Sequence, residues 1–97
     1  MPRALRRWLT LSALAAGVTL AEEVASTRRG VALAQLEDER RAGARPERIE
    51  ALRWRAALWT AGFDVLIVLD TMLVVSNPTV IPAVAAASVA GSRWATR

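Results

Sequence analysis

Apolar residues fall in three blocks along this chain, and the charged residues gather mostly between the first two. The strongest block, Ala56 to Ser76, runs for twenty-one residues with only Asp64 and Asp70 ionisable inside it. As a helix at ~1.5 Å per residue it is about 31 Å long, the thickness of a bilayer's hydrocarbon core. A β-strand reading of its branched part, Val65 to Val75, fails on length and on the absence of turn residues. Trp54 and Trp59 stand near its start beside Arg53 and Arg55, the placement expected of interfacial anchors.

The first block is shorter. Fourteen uncharged residues, Trp8 to Ala21, lie between the basic group Arg3, Arg6 and Arg7 and the acidic pair Glu22-Glu23. Residues 1–23 follow the grammar of a secretory signal peptide, with Thr19-Leu20-Ala21 as a tolerable cleavage site. We read them instead as a retained short membrane helix or signal anchor, with Trp8 at one membrane face. Fourteen residues reach only about 21 Å, so this helix thins the bilayer, snorkels its arginines or extends past Glu22.

Helix formers continue from Ala21 to Ala42, with Val24, Ala32, Leu33 and Leu36 on a loose apolar stripe, and Gly30 is the weak point. Gly43-Ala44-Arg45-Pro46 places a helix-ending Gly before a Pro suited to the first turn of a new helix, where Glu47 and Glu50 also fit the helix dipole. Ser76-Asn77-Pro78 is the next break. The third block, 79–94, is interrupted by Pro82 and reaches only about 24 Å as a helix, which makes it a marginal span, a re-entrant segment or a packing arm. Within it Ala83, Ala87 and Gly91 recur every four residues, a spacing that permits close helix contact, and Trp94 ends it as a further interfacial candidate.

The predicted fold class is therefore all-α: a membrane helical hairpin with a long charged connector and a short C-terminal third helix or re-entrant segment. The boundaries are a first helix at 4–42 with its apolar span at 8–21, a second helix at 46–76 with its span at 56–76, and the segment 79–94, all within one domain, 1–97. With 54% hydrophobic residues in 97 positions, such a chain holds too little core to stand as a large soluble domain.

Composition narrows the chemistry. The chain has no Cys and no His, which removes disulfides, thiolate and imidazole catalysis and ordinary zinc ligation. No phosphate loop, nucleophile elbow or metal-ligand spacing is present, so neither a metal nor another cofactor is expected. A net charge of +4 invites a nucleic-acid reading, but residues 22–55 carry eight Arg against seven Asp or Glu, and that mixture suits a solvated, ion-paired surface better than a phosphate track.

Asp64 and Asp70 remain as the informative groups. Ten Leu, Ile, Phe and Val residues favour insertion of the main block by roughly 3 to 6 kcal/mol, and two central Asp oppose it by roughly 5 to 7. These carboxylates should therefore face protein or water, which implies other helices. Six positions separate them, about 240° around a helix, so they form no catalytic dyad. The expected roles are helix-interface or buried charges, with Glu22, Glu23, Arg28 and Arg29 as companions and Ser12, Thr10 or Thr19 as bonding partners. A hairpin centred on residue 44 pairs positions whose numbers add to about 88, which sets Asp64 beside Val24 and the two glutamates. Either Gly30 then ends the first helix, or that level is a partly wet interior formed by oligomerisation, in which Arg28 or Arg29 neutralises Asp64.

The function these features suggest is a non-enzymatic small integral membrane protein, a structural or accessory subunit of a larger membrane assembly in the inner or cytoplasmic membrane of a prokaryote. Its partners would be lipid and other membrane helices, as homo-oligomer or hetero-complex, and not nucleic acid. The rivals are a self-assembling holin-like pore former and a pilin-like helical-hairpin subunit of an extracellular filament.

Overall fold

A computed structural model describes residues 2–95; of the predicted domain, Met1, Thr96 and Arg97 lie outside the described residues. Three α-helices and one short 3-10 turn make up the described chain, with no strand among them: α1 spans Arg3–Arg41, α2 spans Pro46–Ser76, the turn is Pro78–Val80, and α3 spans Ile81–Ala95. The all-α expectation holds, and the helix limits fall within one or two residues of those read from sequence. The long dimension is 61 Å, close to the ~58 Å that thirty-nine residues of helix require.

Gly30 does not interrupt α1, which runs through it without a break. The cost of one helical Gly is only ~1 kcal/mol, too little to end a helix held on both sides by neighbours that favour it. The end comes at Gly43, the one residue with a positive φ, 74°, among the described residues. The Ala44 N–H donates to the Glu39 carbonyl at 3.0 Å and the Gly43 N–H to that of Arg40 at 3.2 Å, a pair of bonds that closes a helix around a left-handed residue. Arg40 and Arg41 in the last turn suit the negative end of the dipole. Arg45 is extended, as a residue before Pro must be, and Pro46 opens α2.

From that turn α2 runs back antiparallel to α1. Arg48 pairs with Glu39 at 3.8 Å near the turn, the Thr19 hydroxyl lies 3.4 Å from Asp70 Oδ2, and the Trp8 indole N–H donates to the Thr79 carbonyl at 3.0 Å. The numbers in each pair add to 87 or 89, so the register matches the one a turn centred on residue 44 imposes. α3 then turns down beside α1, parallel to it; Pro82, which looked like an interruption, sits in its first turn, where a missing N–H costs nothing.

Residues turned inward recur at spacings of three and four on both long helices. On α1 they are Ser12, Ala15, Thr19, Glu22, Ala25, Arg29, Ala32, Leu36 and Glu39; on α2 they are Ile49, Leu52, Ala56, Thr60, Phe63, Leu66, Asp70 and Leu73, followed by Asn77 just past its end. This is the seam of two helices packed side by side. It differs from the stripe read from sequence: Ala25 is buried where Val24 is only half-buried, and Leu33 is exposed. Small side chains dominate the core, and among the described residues only Leu52 and Val80 are large and fully enclosed.

Because Gly43 carries the left-handed turn, Gly43→Ala is expected to lower stability by about 1 kcal/mol. Thermal unfolding followed by circular dichroism measures this; Gly30→Ala, inside regular helix, should raise the midpoint instead.

Candidate functional site: a polar layer between three helices

Polar side chains from all three helices meet in the upper half of the molecule. Glu22 and Glu23 are consecutive on α1 and so point ~100° apart. Glu22 turns toward α2, where its carboxyl lies within hydrogen-bonding reach of that of Asp70. Glu23 turns toward α3, where Ser88 donates to Oε1 and Ser92 donates to Oε2, each at 3.3 Å. The Thr19 hydroxyl, 3.0 Å from the Ala15 carbonyl and 3.4 Å from Asp70 Oδ2, divides its one proton between two acceptors.

Glycine makes the α3 contact possible. A Cβ built on Gly91 would stand 2.7 Å from Glu23 Cγ, 3.0 Å from its Cβ and 3.3 Å from Leu20 Cδ2. Ala87 and Gly91 are buried and Ala83 is half-buried, so the small-residue row faces α1. Seated there, it lets α3 come close enough for two serine hydroxyls to reach one carboxylate.

The α1–α2 side is less complete. Glu22 Oε1 and Asp70 Oδ1 are both buried without a donor, as are Ser12 Oγ as an unpaired hydroxyl and Arg29 Nε as an unpaired donor. Two facing carboxylates satisfy one another only when one of them carries a proton. Arg29 is seven positions from Glu22, two turns along the same seam, and forms no ion pair among the described residues.

The other residues singled out from sequence stand apart from this layer. Asp64 and Arg28 are exposed. It is Asp70 that meets Glu22, because Phe63, Leu66 and Asp70 occupy the seam and Asp64 lies ~100° off it. The Thr10 hydroxyl is used locally, donating to the Arg6 carbonyl. Trp8 stands at the end of the molecule where α3 begins, with its N–H engaged; Trp54 and Trp59 flank the start of the apolar part of α2, and Trp94 is exposed on the last turn of α3. The three exposed ion pairs, Arg41–Glu37, Arg48–Glu39 and Arg53–Glu50, cluster about the 42–45 turn and contribute little each.

Ser88 and Ser92 were not anticipated. Their signal was present in the sequence: they are four apart and flank Gly91, on the same small-residue face. Chemically the layer offers hydrogen bonds between helices. Among the described residues no three His, Cys, Asp or Glu side chains gather as a metal site would need. No protein-family model, curated protein or solved structure matches the chain.

Two substitutions separate the halves of the layer. Asp70→Ala, which strips Glu22 of its neighbour, is expected to cost about 1 to 3 kcal/mol, whereas Asp70→Asn, which supplies an amide donor, should stay within about 1 kcal/mol of the parent. Gly91→Val should displace α3 and cost about 1 to 3 kcal/mol by overpacking. Thermal unfolding ranks all three, and in a background with Trp8, Trp54 and Trp59 replaced by Phe the fluorescence of Trp94 reports the displacement of α3.

Proposed function

We propose that the chain is a small integral membrane protein without enzymatic activity, a helical hairpin that serves as a structural or accessory subunit of a larger membrane assembly. The observation that carries this reading is the state of α2. It is long and apolar enough to cross a bilayer, and none of the residues in its most apolar stretch is buried by the rest of the chain. Leu58, Val65, Val68, Met72 and Val75 are all more than half exposed. A core helix of a soluble protein would hide such a surface, since a large exposed apolar face is stable only against lipid or another protein.

The arrangement of the other helices is consistent with that environment. The apolar residues 8–21 of α1 lie level with the upper part of α2, and α3 acts as a packing arm on α1. The layer of Glu22, Asp70, Glu23, Ser88 and Ser92 turns those three carboxylates toward protein, as buried polar groups in a bilayer must be. The serine hydroxyls and carboxylates of the layer are engaged between helices, which favours assembly over catalysis. We place the protein in the inner or cytoplasmic membrane of a prokaryote.

Fractionation of cells expressing the full chain tests the reading. The protein should sediment with membranes, resist alkaline carbonate and high salt, and enter solution with mild detergent in the company of fixed partners. Recovery from the soluble fraction would sink it. Membrane permeabilisation by the purified chain alone would point to a pore, and recovery in sheared surface fibres to a filament.

A further inference from the structure

Asp64 and Arg28 are two charges left without a partner among the described residues, and their positions are related. Asp64 is exposed on α2 and shares a shallow apolar depression with Val65, Val68 and Leu69, all of them more than two-fifths exposed. If α2 spans a bilayer, this carboxylate meets hydrocarbon, where an ionised Asp costs roughly 2.5 to 3.5 kcal/mol. Arg28 is exposed on α1 and joins none of the ion pairs.

The register puts them within about one helical turn of each other in height. Positions facing each other across the seam have numbers adding to 87 or 89, so Asp64 is level with residues 23–25 and Arg28 lies about one helical turn, ~6 Å, further along. An arginine stem spans that distance. They cannot meet within one chain, however. Asp64 follows the seam residue Phe63 by one position, and Arg28 precedes the seam residue Arg29 by one. On antiparallel helices forward steps turn to the same flank and backward steps to the other. The two charges therefore stand on opposite flanks of the α1–α2 pair. Asp64 is on the flank that carries α3, as Glu23, the forward neighbour of Glu22, shows by its bonds to Ser88 and Ser92. Arg28 is on the bare flank.

We propose that copies of this chain associate side by side in the membrane through an ion pair between Asp64 of one copy and Arg28 of the next. The inference rests on the membrane reading above and names its partner: a second copy. Copies inserted in the same orientation present opposite flanks to each other with the two charges about one helical turn apart in height, a distance the arginine stem spans, so each exposed carboxylate meets an exposed guanidinium without a change of fold. Ala57 and Ala61, both exposed, precede Asp64 on its flank, and small side chains there permit the close approach that such a contact in lipid needs. The same patch does not meet itself, so the contact is head-to-tail; it closes into a ring or continues as a row.

The test uses the full chain reconstituted in lipid vesicles. Because the sequence has no Cys, one cysteine added at the C-terminus carries donor or acceptor dyes, and energy transfer between copies reads association. Asp64→Asn, Asp64→Arg and Arg28→Asp should each weaken association by on the order of tenfold. The charge-swapped double variant, Asp64→Arg with Arg28→Asp, should regain most of it. Circular dichroism should show unchanged helix content in every variant, since both side chains are exposed. Association of Asp64→Asn equal to the parent, or a double variant as weak as its singles, overturns the ion pair while leaving the membrane reading standing. A parent chain that fails to enter vesicles overturns both.

Discussion

Helices that meet on alanine approach closely but withdraw little apolar surface from water. In this chain α1 contributes Ala15, Ala25 and Ala32 to the core and α2 contributes Ala56, with Leu52 and Val80 as the only large side chains fully enclosed among the described residues. Most of the other large apolar residues are exposed, and those on the seam, such as Phe63, Leu66 and Leu73, are only half-buried. Packing among the helices fixes their register and spacing, while on the membrane reading the burial that normally drives folding comes from surroundings other than the chain itself. The exposed face of α2, the narrow interior and the reliance on hydrogen bonds between helices all follow from that division.

The polar layer completes the same logic. A seam lined by small residues tolerates sliding, because one alanine replaces another at little cost. Side chains with directional bonds do not. Thr19 with Asp70, Glu23 with Ser88 and Ser92, and Trp8 with the Thr79 carbonyl each have one acceptable alignment, and they sit at different heights. Buried polar groups are best attested as devices that specify register, and here they tie α2 and α3 to α1 independently.

Helix type and limits were legible because the breaks are chemical: Gly43 with Pro46, and Asn77 with Pro78, punctuate the chain unambiguously. Even the pairing register was legible, since a short turn leaves antiparallel helices no freedom along their axes. The inward faces were not. α2 is apolar nearly all round, so no stripe marks its buried side, and the seam on α1 includes Thr19, Glu22 and Arg29, residues that a search for apolar periodicity passes over. For this reason Asp64 and Asp70 looked equivalent from sequence. Which one faces α1 depends on the phase of the seam, and that phase is set by packing of Leu52 and Ala56 a few turns away. The path of α3 was illegible for a related reason: an alanine-rich segment packs acceptably in several places, and only the fit of Gly91 against Glu23 selects one.

The end of the molecule around the 42–45 turn behaves differently from the rest. Beyond Ala56 no third helix accompanies α1 and α2, and from Glu37 to Arg55 six arginines are balanced against five carboxylates, several of them in exposed ion pairs. On the membrane reading this pair of helix ends projects past the headgroups as a nearly neutral, zwitterionic prong. Anionic lipids attract basic segments by about 1 kcal/mol per unopposed charge, and here almost every charge is opposed. On that reading the prong has little electrostatic reason to lie down on the bilayer, whatever the lipid composition or the salt.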